Sequence, residues 1–332
     1  MPTGTPITMK SIADELGVSV TTVARALGGG ERISQDTIRK VNEAADRLGY
    51  VRNLDAVKLR TGQSFVVMTF LRFSSEEEVG DSGSVGLLNG IHKRLAGSDY
   101  SVRATPVTME ESGLDLVKQV VNGRNADGII LDHTTPQDER VKFLQEAGIP
   151  FVTFGRTAMP DQHAYFDLDN EFAAYQGTKA MLDQGYRRIA LLDADEGYSF
   201  VAQRRIGYMR ALEEAGILFD DKLVRHIAQT APAARHEARD LVSNGTDAIV
   251  CVNEVVFLGA RAGVRDQMGA DAETIGYSVR SGTNLGAYLS SPISNVHFSR
   301  TDAGWTLADL LLKRISGAPA DQCQKIGRTD LR

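Results

Sequence analysis

Cysteine is nearly absent from this sequence: Cys251 sits in an apolar run and Cys323 near the end. Two such thiols make neither a disulfide framework nor a metal-ligand cluster. Long apolar runs are missing as well. No stretch reaches the eighteen or so apolar residues of a membrane span, and residues 1–10 lack the apolar centre of a secretory signal. The expectation is a cytoplasmic protein with no membrane contact. Also missing are a Gly-x-Gly-x-x-Gly or phosphate-loop fingerprint behind a strand, a serine-centred elbow and a metal-spaced histidine set. Dehydrogenase, ATPase and hydrolase chemistry are thereby disfavoured, and the chain reads as a non-enzyme with no cofactor and no metal.

A positive surplus is absent too, since the net charge is −6. The average conceals an asymmetry. Residues 1–62 carry nine Lys or Arg against seven acids, a net of about +2, which leaves about −8 for the remainder. A basic head can bind a phosphate backbone locally while an acidic body stays soluble. With 332 residues there is material for two or three domains, each able to bury a core.

What the head contains is helix punctuation. Thr8 is a candidate N-cap for Met9, Ile12, Ala13 and Leu16, whose spacing lays an apolar stripe on one helix face. Gly17-Val18-Ser19 then supplies a tight turn: glycine tolerates the positive φ, and Ser19 caps the next helix. That helix, Val20–Leu27, is expected to bury Val23 and Leu27, with Thr21, Thr22 and Arg25 outward. A third helix fits 34–48, capped by Ser34, with Ile38, Val41, Ala45 and Leu48 inward. Three short helices around one core make a helix-turn-helix unit whose second helix enters a major groove. Arg25 then reaches guanine O6 and N7, Val20 meets a thymine methyl, and Thr21 bonds a base edge or phosphate. Ser19, Thr22, Ser34 and Thr37 sit where hydroxyls and helix-start amides clamp phosphates. The rival reading is a helical protein-interaction domain with Arg25 as a solvated surface residue.

These residues carry a resemblance. Through Ile12-Ala13, Gly17-Val18-Ser19, Thr22-Val23, Arg25, Leu27, Ile33-Ser34, Thr37, Val41, Ala44-Ala45 and Leu48-Gly49-Tyr50, residues 8–62 resemble the head of the lactose/galactose-repressor (LacI/GalR) family of bacterial transcription regulators. The resemblance implies a hinge over 53–59 that becomes helical on operator DNA. Two hinges then meet in the minor groove, each pushing Leu59 between base pairs, with Asn53 and Arg60 beside it; an apolar wedge repays unstacking by bending the duplex. The alternative for Leu59 is a plain linker leucine. Arg52, Asp55 and Val57 depart from the family's usual Pro, apolar residue and Arg.

From Gln63 the periodicity changes. Strand-like runs at 65–70, 128–131, 150–154, 188–192, 248–252 and 274–277 alternate with helical stretches at 85–95, 114–122, 139–147, 171–184, 203–215, 232–242 and 258–268. Strands separated by helices of this length form parallel sheets covered on both faces. So many units fit two doubly wound subdomains with a ligand in the crevice between them. The fold class expected is an all-α helix-turn-helix head with an α/β, periplasmic-binding-protein-like body, the latter comparison being implied by the resemblance. By the same resemblance the chain crosses between subdomains near 158–162, 290 and 320. The expected organisation is a head over 1–50, a hinge over 51–62, one subdomain of 63–160 with 291–320, and another of 161–290 with 321–332.

The resemblance also implies an effector site. Arg204, at a helix start, would reach sugar hydroxyls or a carboxylate, its guanidinium fork suiting either, and Asn253 would bond one polyol. Glu254 stands where an aspartate is usual. Ser278 stands where relatives commonly have a ligand aspartate, which puts a typical hexose in doubt, and Arg280 two residues on leaves a sugar acid or another anionic metabolite open. His133, Arg156 and Phe166 sit near strand ends, Arg72 opens the loop containing Glu76-Glu77-Glu78, and Phe200 is a further aromatic candidate. Each has a purely local alternative role.

The partners expected are a pseudo-palindromic operator, a small metabolite such as a sugar or sugar derivative, and a second copy of the chain. No long amphipathic tail follows Arg328, so a dimer is preferred over a tetramer. The rival functions are a regulator, even an activating one, that answers to a non-sugar metabolite, and a soluble sugar-binding protein without DNA function. The second lacks an export signal and has no use for Arg25 or Leu59.

Overall fold

Hydroxyl caps open the helices of the N-terminal unit. In the computed structural model, which describes residues 7–28, 33–51, 54–72, 82–107, 113–160, 162–283, 285–289 and 293–332, α1 (Met9–Leu16) starts on a reciprocal Thr8–Ser11 capping box and stops at Gly17, φ 65°. Ser19 accepts from the Thr22 amide at 3.0 Å to open α2 (Val20–Leu27), and Ser34 accepts from Thr37 at 3.2 Å to open α3 (Gln35–Leu48). The centre where the three helices meet is filled by Ile12, Ala13, Val23, Ala26, Val41, Ala44 and Ala45. Leu27, Ile38 and Leu48, expected at that centre, flank it instead. Close crossing leaves room for alanine and valine in the middle and moves larger side chains to the rim.

A fourth helix, α4 (Leu54–Thr61), covers the expected hinge. It is two turns long, closed by the Thr61 hydroxyl donating to the Val57 carbonyl at 2.9 Å and the Gly62 amide donating to Lys58 at 2.8 Å. Arg52 and Asn53 lie outside the described residues, as do the side chains of Asp55, Arg60 and Arg72 and the acidic run 76–78.

Residues 1–63 and 64–332 are two separate compact units. In the second, the described residues form twelve strands in two sheets of six. The elements run β1 (Val66–Arg72), α5 (Ser82–Leu95), β2 (Ser101–Val107), α6 (Gly113–Asn122), β3 (Gly128–Leu131), α7 (Glu139–Glu146), β4 (Phe151–Phe154), β5 (Tyr165–Leu168), α8 (Asn170–Asp183), β6 (Ile189–Asp193), α9 (Ser199–Glu214), β7 (Val224–His226), α10 (Ala231–Ser243), β8 (Ala248–Cys251), α11 (Glu254–Met268), β9 (Gly276–Ser281), β10 (Ser294–His297), α12 (Arg300–Ile315), β11 (Gln324–Gly327) and β12 (Asp330–Leu331). The first sheet has the order β11-β5-β4-β3-β1-β2 and is parallel throughout. The second, β12-β10-β9-β8-β6-β7, is parallel except for β12.

Burial on both faces explains the near-continuous apolar strands. Ile130 and Val152 pack under Leu87, Ile91, Leu307 and Leu311 of α5 and α12, while Ile129 and Leu131 pack on the opposite side with Val117, Val141 and Leu144 of α6 and α7. An equivalent core around Leu191, Tyr208, Ile249 and Phe257 serves the second sheet. Each sheet is also started in the same way. Asp127 accepts from the Ser64 and Phe65 amides at 2.7 and 2.8 Å just before β1, and Asp247 accepts from Arg187 and Arg188 at 2.8 and 2.9 Å just before β6.

The crossings between sheets fall later than expected. Because β5 and β11 pair with the first sheet and β10 with the second, the chain passes over after Leu168, after His297 and after Gly327, not near 158–162, 290 and 320. One half therefore comprises 64–168 with 300–327, and the other 170–297 with 330–332. The displaced strands are four residues long and carry Asp167 or Ser294-Asn295 in the middle of the apolar pattern, so periodicity does not reveal them. Among the described residues no helix is long and apolar enough to cross a membrane, and no three His, Cys, Asp or Glu side chains are grouped to hold a metal.

Candidate nucleic-acid interface and ligand cleft

On the head, α2 presents Val20, 45 % exposed, with Thr21 and Arg25 also exposed, while Val23 and Ala26 hold its other face in the core. Arg25 has no ion-pair partner among the described residues. The four hydroxyls expected at phosphates are engaged in pairs, Ser19 with Thr22 and Ser34 with Thr37, each 2.8 Å apart. Each pair keeps free lone pairs and protons, so capping and phosphate contact are compatible. At the hinge Leu59 is 91 % exposed.

In the body, the carboxyl ends of the two sheets face one cavity of about 230 Å³, somewhat below the roughly 300–1,000 Å³ common for small-molecule sites. Five of the expected residues line it: His133, Phe200, Arg204, Asn253 and Arg280. His133 follows β3 with φ 49°, in the left-handed region that non-glycine residues seldom occupy. Its Nδ1 is 3.0 Å from an Asp132 carboxylate oxygen, and its ring meets Tyr198 edge-on at 5.5 Å and Phe200 at 6.2 Å. Tyr198 and Phe200 are stacked at 5.2 Å where α9 begins. These three rings make an aromatic corner contributed by both halves, tied by the Ser199 amide donating to the Thr134 carbonyl at 3.0 Å.

Arg204 projects from the second turn of α9 and is 5 % exposed. Its Nη1 donates to Asp193 at 2.5 Å at the end of β6, and its guanidinium lies 4.4 Å from the Phe200 ring centre. Asn253 caps α11, accepting from the Val256 amide at 2.8 Å, and donates to Gln229 at 2.6 Å. Arg280 is the last residue but one of β9 and donates through Nε to the Val252 carbonyl at 2.9 Å. Burial first, then the neighbouring Arg204 and Arg300 charges, pushes its pKa well below the usual arginine value.

Three expected residues are placed elsewhere. Phe166 is 4 % exposed, lies inside β5 and not beyond a strand end, and packs its ring against those of Phe154 and Phe298, which also meet each other. Arg156 bonds Asp167 at 2.7 Å and stays outside the cavity wall. Asp167 does line it, and burial raises its carboxyl pKa against the pull of Arg156. Ser278 is 1 % exposed because β9 runs on to Ser281, so position 278 is mid-strand, under Gly177 of α8. It borders a second, smaller hollow of about 20 Å³ behind Arg204 and Arg280.

Other lining residues escaped the sequence reading. Tyr198 was detectable as an aromatic two positions before Phe200. Asn170, held by Asp167, Leu168 and Gln203, depends on where β5 lies. Arg300 opens α12, whose start is marked by Ser299 accepting from Asp302 at 3.1 Å, a cap-and-acid signal visible in the sequence.

Comparison with known proteins agrees with both units. Residues 8–53 match the family described as bacterial regulatory proteins, lacI family, and residues 78–325 match periplasmic binding proteins and sugar binding domain of LacI family. The HTH-type transcriptional regulator RafR of Escherichia coli is 28 % identical over 323 residues, covering 96 % of this chain and 95 % of that one. The regulator CelR of Thermobifida fusca is 26 % identical over 335 residues, covering 98 % and 96 %. Among solved structures, a transcriptional regulator CelR–cellobiose complex has a TM-score of 0.73 at 24 % identity, covering 98 % of both chains. A lac repressor dimer bound to operator and the anti-inducer ONPF has a TM-score of 0.75 at 20 % identity, again covering 98 % of both.

Proposed function

We propose, since this chain belongs to the LacI family of bacterial regulatory proteins, that a small metabolite held in the body's cleft controls how tightly the helix-turn-helix head binds operator DNA. The observation that carries this reading is the cavity, walled by His133 of one half and by Tyr198, Phe200, Arg204 and Arg280 of the other. A ligand touching both walls favours one relative placement of the halves, and so biases whatever the head and hinge do in that state. Aromatic faces beside guanidinium and amide groups suit a sugar or sugar derivative, in keeping with the cellobiose complex of the CelR structure.

The protein acts as a homodimer on a pseudo-palindromic operator and represses transcription there. This follows the dimeric, operator-bound lac repressor and the geometry of paired helix-turn-helix units. In each head α2 reads the major groove with Arg25, Val20 and Thr21, while Ser19, Thr22, Ser34 and Thr37 hold phosphates. Leu59 of the hinge enters the minor groove, which accounts for its exposure. An isolated two-turn helix is marginal in water, so operator DNA should increase the helix content of residues 53–59. Backbone NMR shifts of the full chain, with and without operator duplex, would report the gain; unchanged shifts there would reject the hinge role.

The central test is a titration of genomic fragments at about 0.1 M salt, with and without metabolites that raise the thermal stability of the protein. Sequence-selective binding is expected, and a metabolite bound in the cleft should change operator affinity by the equivalent of about 1–3 kcal/mol. Absence of any selective shift would sink the repressor reading. Arg25→Ala should lose about 1–3 kcal/mol of specific binding through its base contact. Non-specific binding should change little.

A further inference from the structure

The charges around the cleft are unevenly satisfied. Among the described residues four acids line it: two lie beside an arginine or histidine side chain and two are held by backbone amides. Asp167 is bonded to Arg156 at 2.7 Å, Asp132 lies 3.0 Å from His133, Asp195 accepts from the Gly197 amide at 2.8 Å, and Glu254 accepts from the Gly282 amide at 2.9 Å. Of the three arginines, Arg204 is neutralised by the buried carboxylate of Asp193.

Arg280 and Arg300 are different. Arg280 has the Val252 carbonyl as its acceptor, and Arg300 lies 5.5 Å from the centre of the Phe154 ring; neither has a carboxylate within ion-pair distance among the described residues. A carbonyl and a ring face direct a guanidinium without cancelling its charge. The Arg300 stem is also fixed from behind. A Cβ at Gly86 would lie 2.9 Å from the Arg300 Cβ, and one at Gly282 3.3 Å from the Arg300 Cγ, so the stem is packed between two backbones. Ser278, two positions before Arg280 on β9, is neutral and brings no acid to that wall.

Resting on the cleft being the effector site, we infer that the effector carries a carboxylate, bound by Arg280 and Arg300, while its polyol ring lies against Tyr198 and Phe200: it is a sugar acid. The guanidiniums of Arg204 and Arg300 weigh on Arg280 more than the carboxylates of Glu254 and Asp193 offset, and an entering anion relieves that repulsion. Inside a partly desolvated site that gain is far larger than in water. The planar forks match a carboxylate in a way that a single hydroxyl does not. A neutral sugar of the same shape would use the aromatic corner but leave both cations uncompensated.

The test is isothermal titration of the full chain with D-glucuronate, D-galacturonate and D-gluconate, against D-glucose and D-galactose at matched ionic strength. At least one acid should bind roughly tenfold or more tighter than its neutral parent. Arg300→Gln and Arg280→Met should each bring that acid down to the level of the neutral sugar. Should Arg280→Met fail to fold, as judged by circular dichroism, Arg300→Gln decides alone. Equal affinity for acids and neutral sugars, a preference that survives the substitutions, or no binding of any acid at millimolar concentration would each overturn the inference. The broader reading fails on a different measurement: a cleft ligand, charged or neutral, that leaves operator affinity unchanged.

Discussion

Replacing Asp193 with alanine is expected to destabilise the body by about 3–5 kcal/mol, the range for breaking a buried ion pair from one side. The side chains of Asp193 and Arg204 are 1 % and 6 % exposed, so the arginine left behind could not recover its hydration. Its charge would stand beside Arg280, already pushed by burial and its neighbours toward losing a proton it needs to keep. Asp193 Oδ1 also accepts from the Ala194 amide at 2.7 Å, so the turn leaving β6 loses its anchor in the same step. In a body of this size the loss should appear as a fall in melting temperature of roughly 10 °C. Asp193→Ala combined with Arg204→Met should recover part of it, because removing both charges leaves nothing buried and unpaired. A single variant within about 1 kcal/mol of the parent would show that Arg204 finds another partner and that the pair does not set the cleft wall.

The elements legible in the sequence are those whose signals are local. Thr8, Ser19 and Ser34 open the three head helices at their expected places, and β3 occupies the expected run, because cap chemistry and fully buried strands leave unambiguous patterns. What could not be read depends on partners distant in sequence. β5, β10 and β11 become strands only by pairing in a sheet already present, and their polar positions are paid for by ladder bonds that no window of residues displays.

Misplaced site residues have the same origin. Ser278 was expected at the ligand because relatives commonly have a ligand aspartate there, just past a strand expected to end at Tyr277, yet β9 continues to Ser281 and carries Arg280 to the cavity while Ser278 stays under α8. Phe166 looked like a strand-end aromatic and is one of three rings packed against one another at 5.9–6.2 Å. Arg300 drew no notice because α12 itself was overlooked. Residue type was thus a fair guide to what lines the cavity. The length of each strand decided which side chain arrived.

Valine at position 90 should have the other large effect, through the contact of α5 with α12. A Cβ at Gly90 would lie 1.9 Å from the Thr301 carbonyl oxygen and 2.7 Å from the Trp305 amide, and one at Gly304 would lie 2.0 Å from the Leu87 carbonyl oxygen. Glycines on both helices thus let two backbones touch, and neither side can yield by rotating a side chain. The other helix pairs use the same device, with Gly207 of α9 against Glu171 of α8 and Gly259 and Gly263 of α11 against Ala231 and Arg235 of α10. Gly90→Val must push α12 off α5, and overpacking against rigid backbone costs upwards of about 3 kcal/mol. The displacement also reaches the site, since Ser84 and Leu87 of α5 and Arg300 of α12 all line the cavity. Thermal unfolding of Gly90→Val should therefore shift down sharply and lose any stabilisation by a cleft ligand. Gly113→Ala is the control, because among the described residues its new methyl would meet the Arg140 side chain alone, at an ordinary contact distance of 3.4 Å. If Gly90→Val unfolds at the parent temperature and still binds the ligand, the two helices are not held at that crossing and the cleft wall does not depend on it.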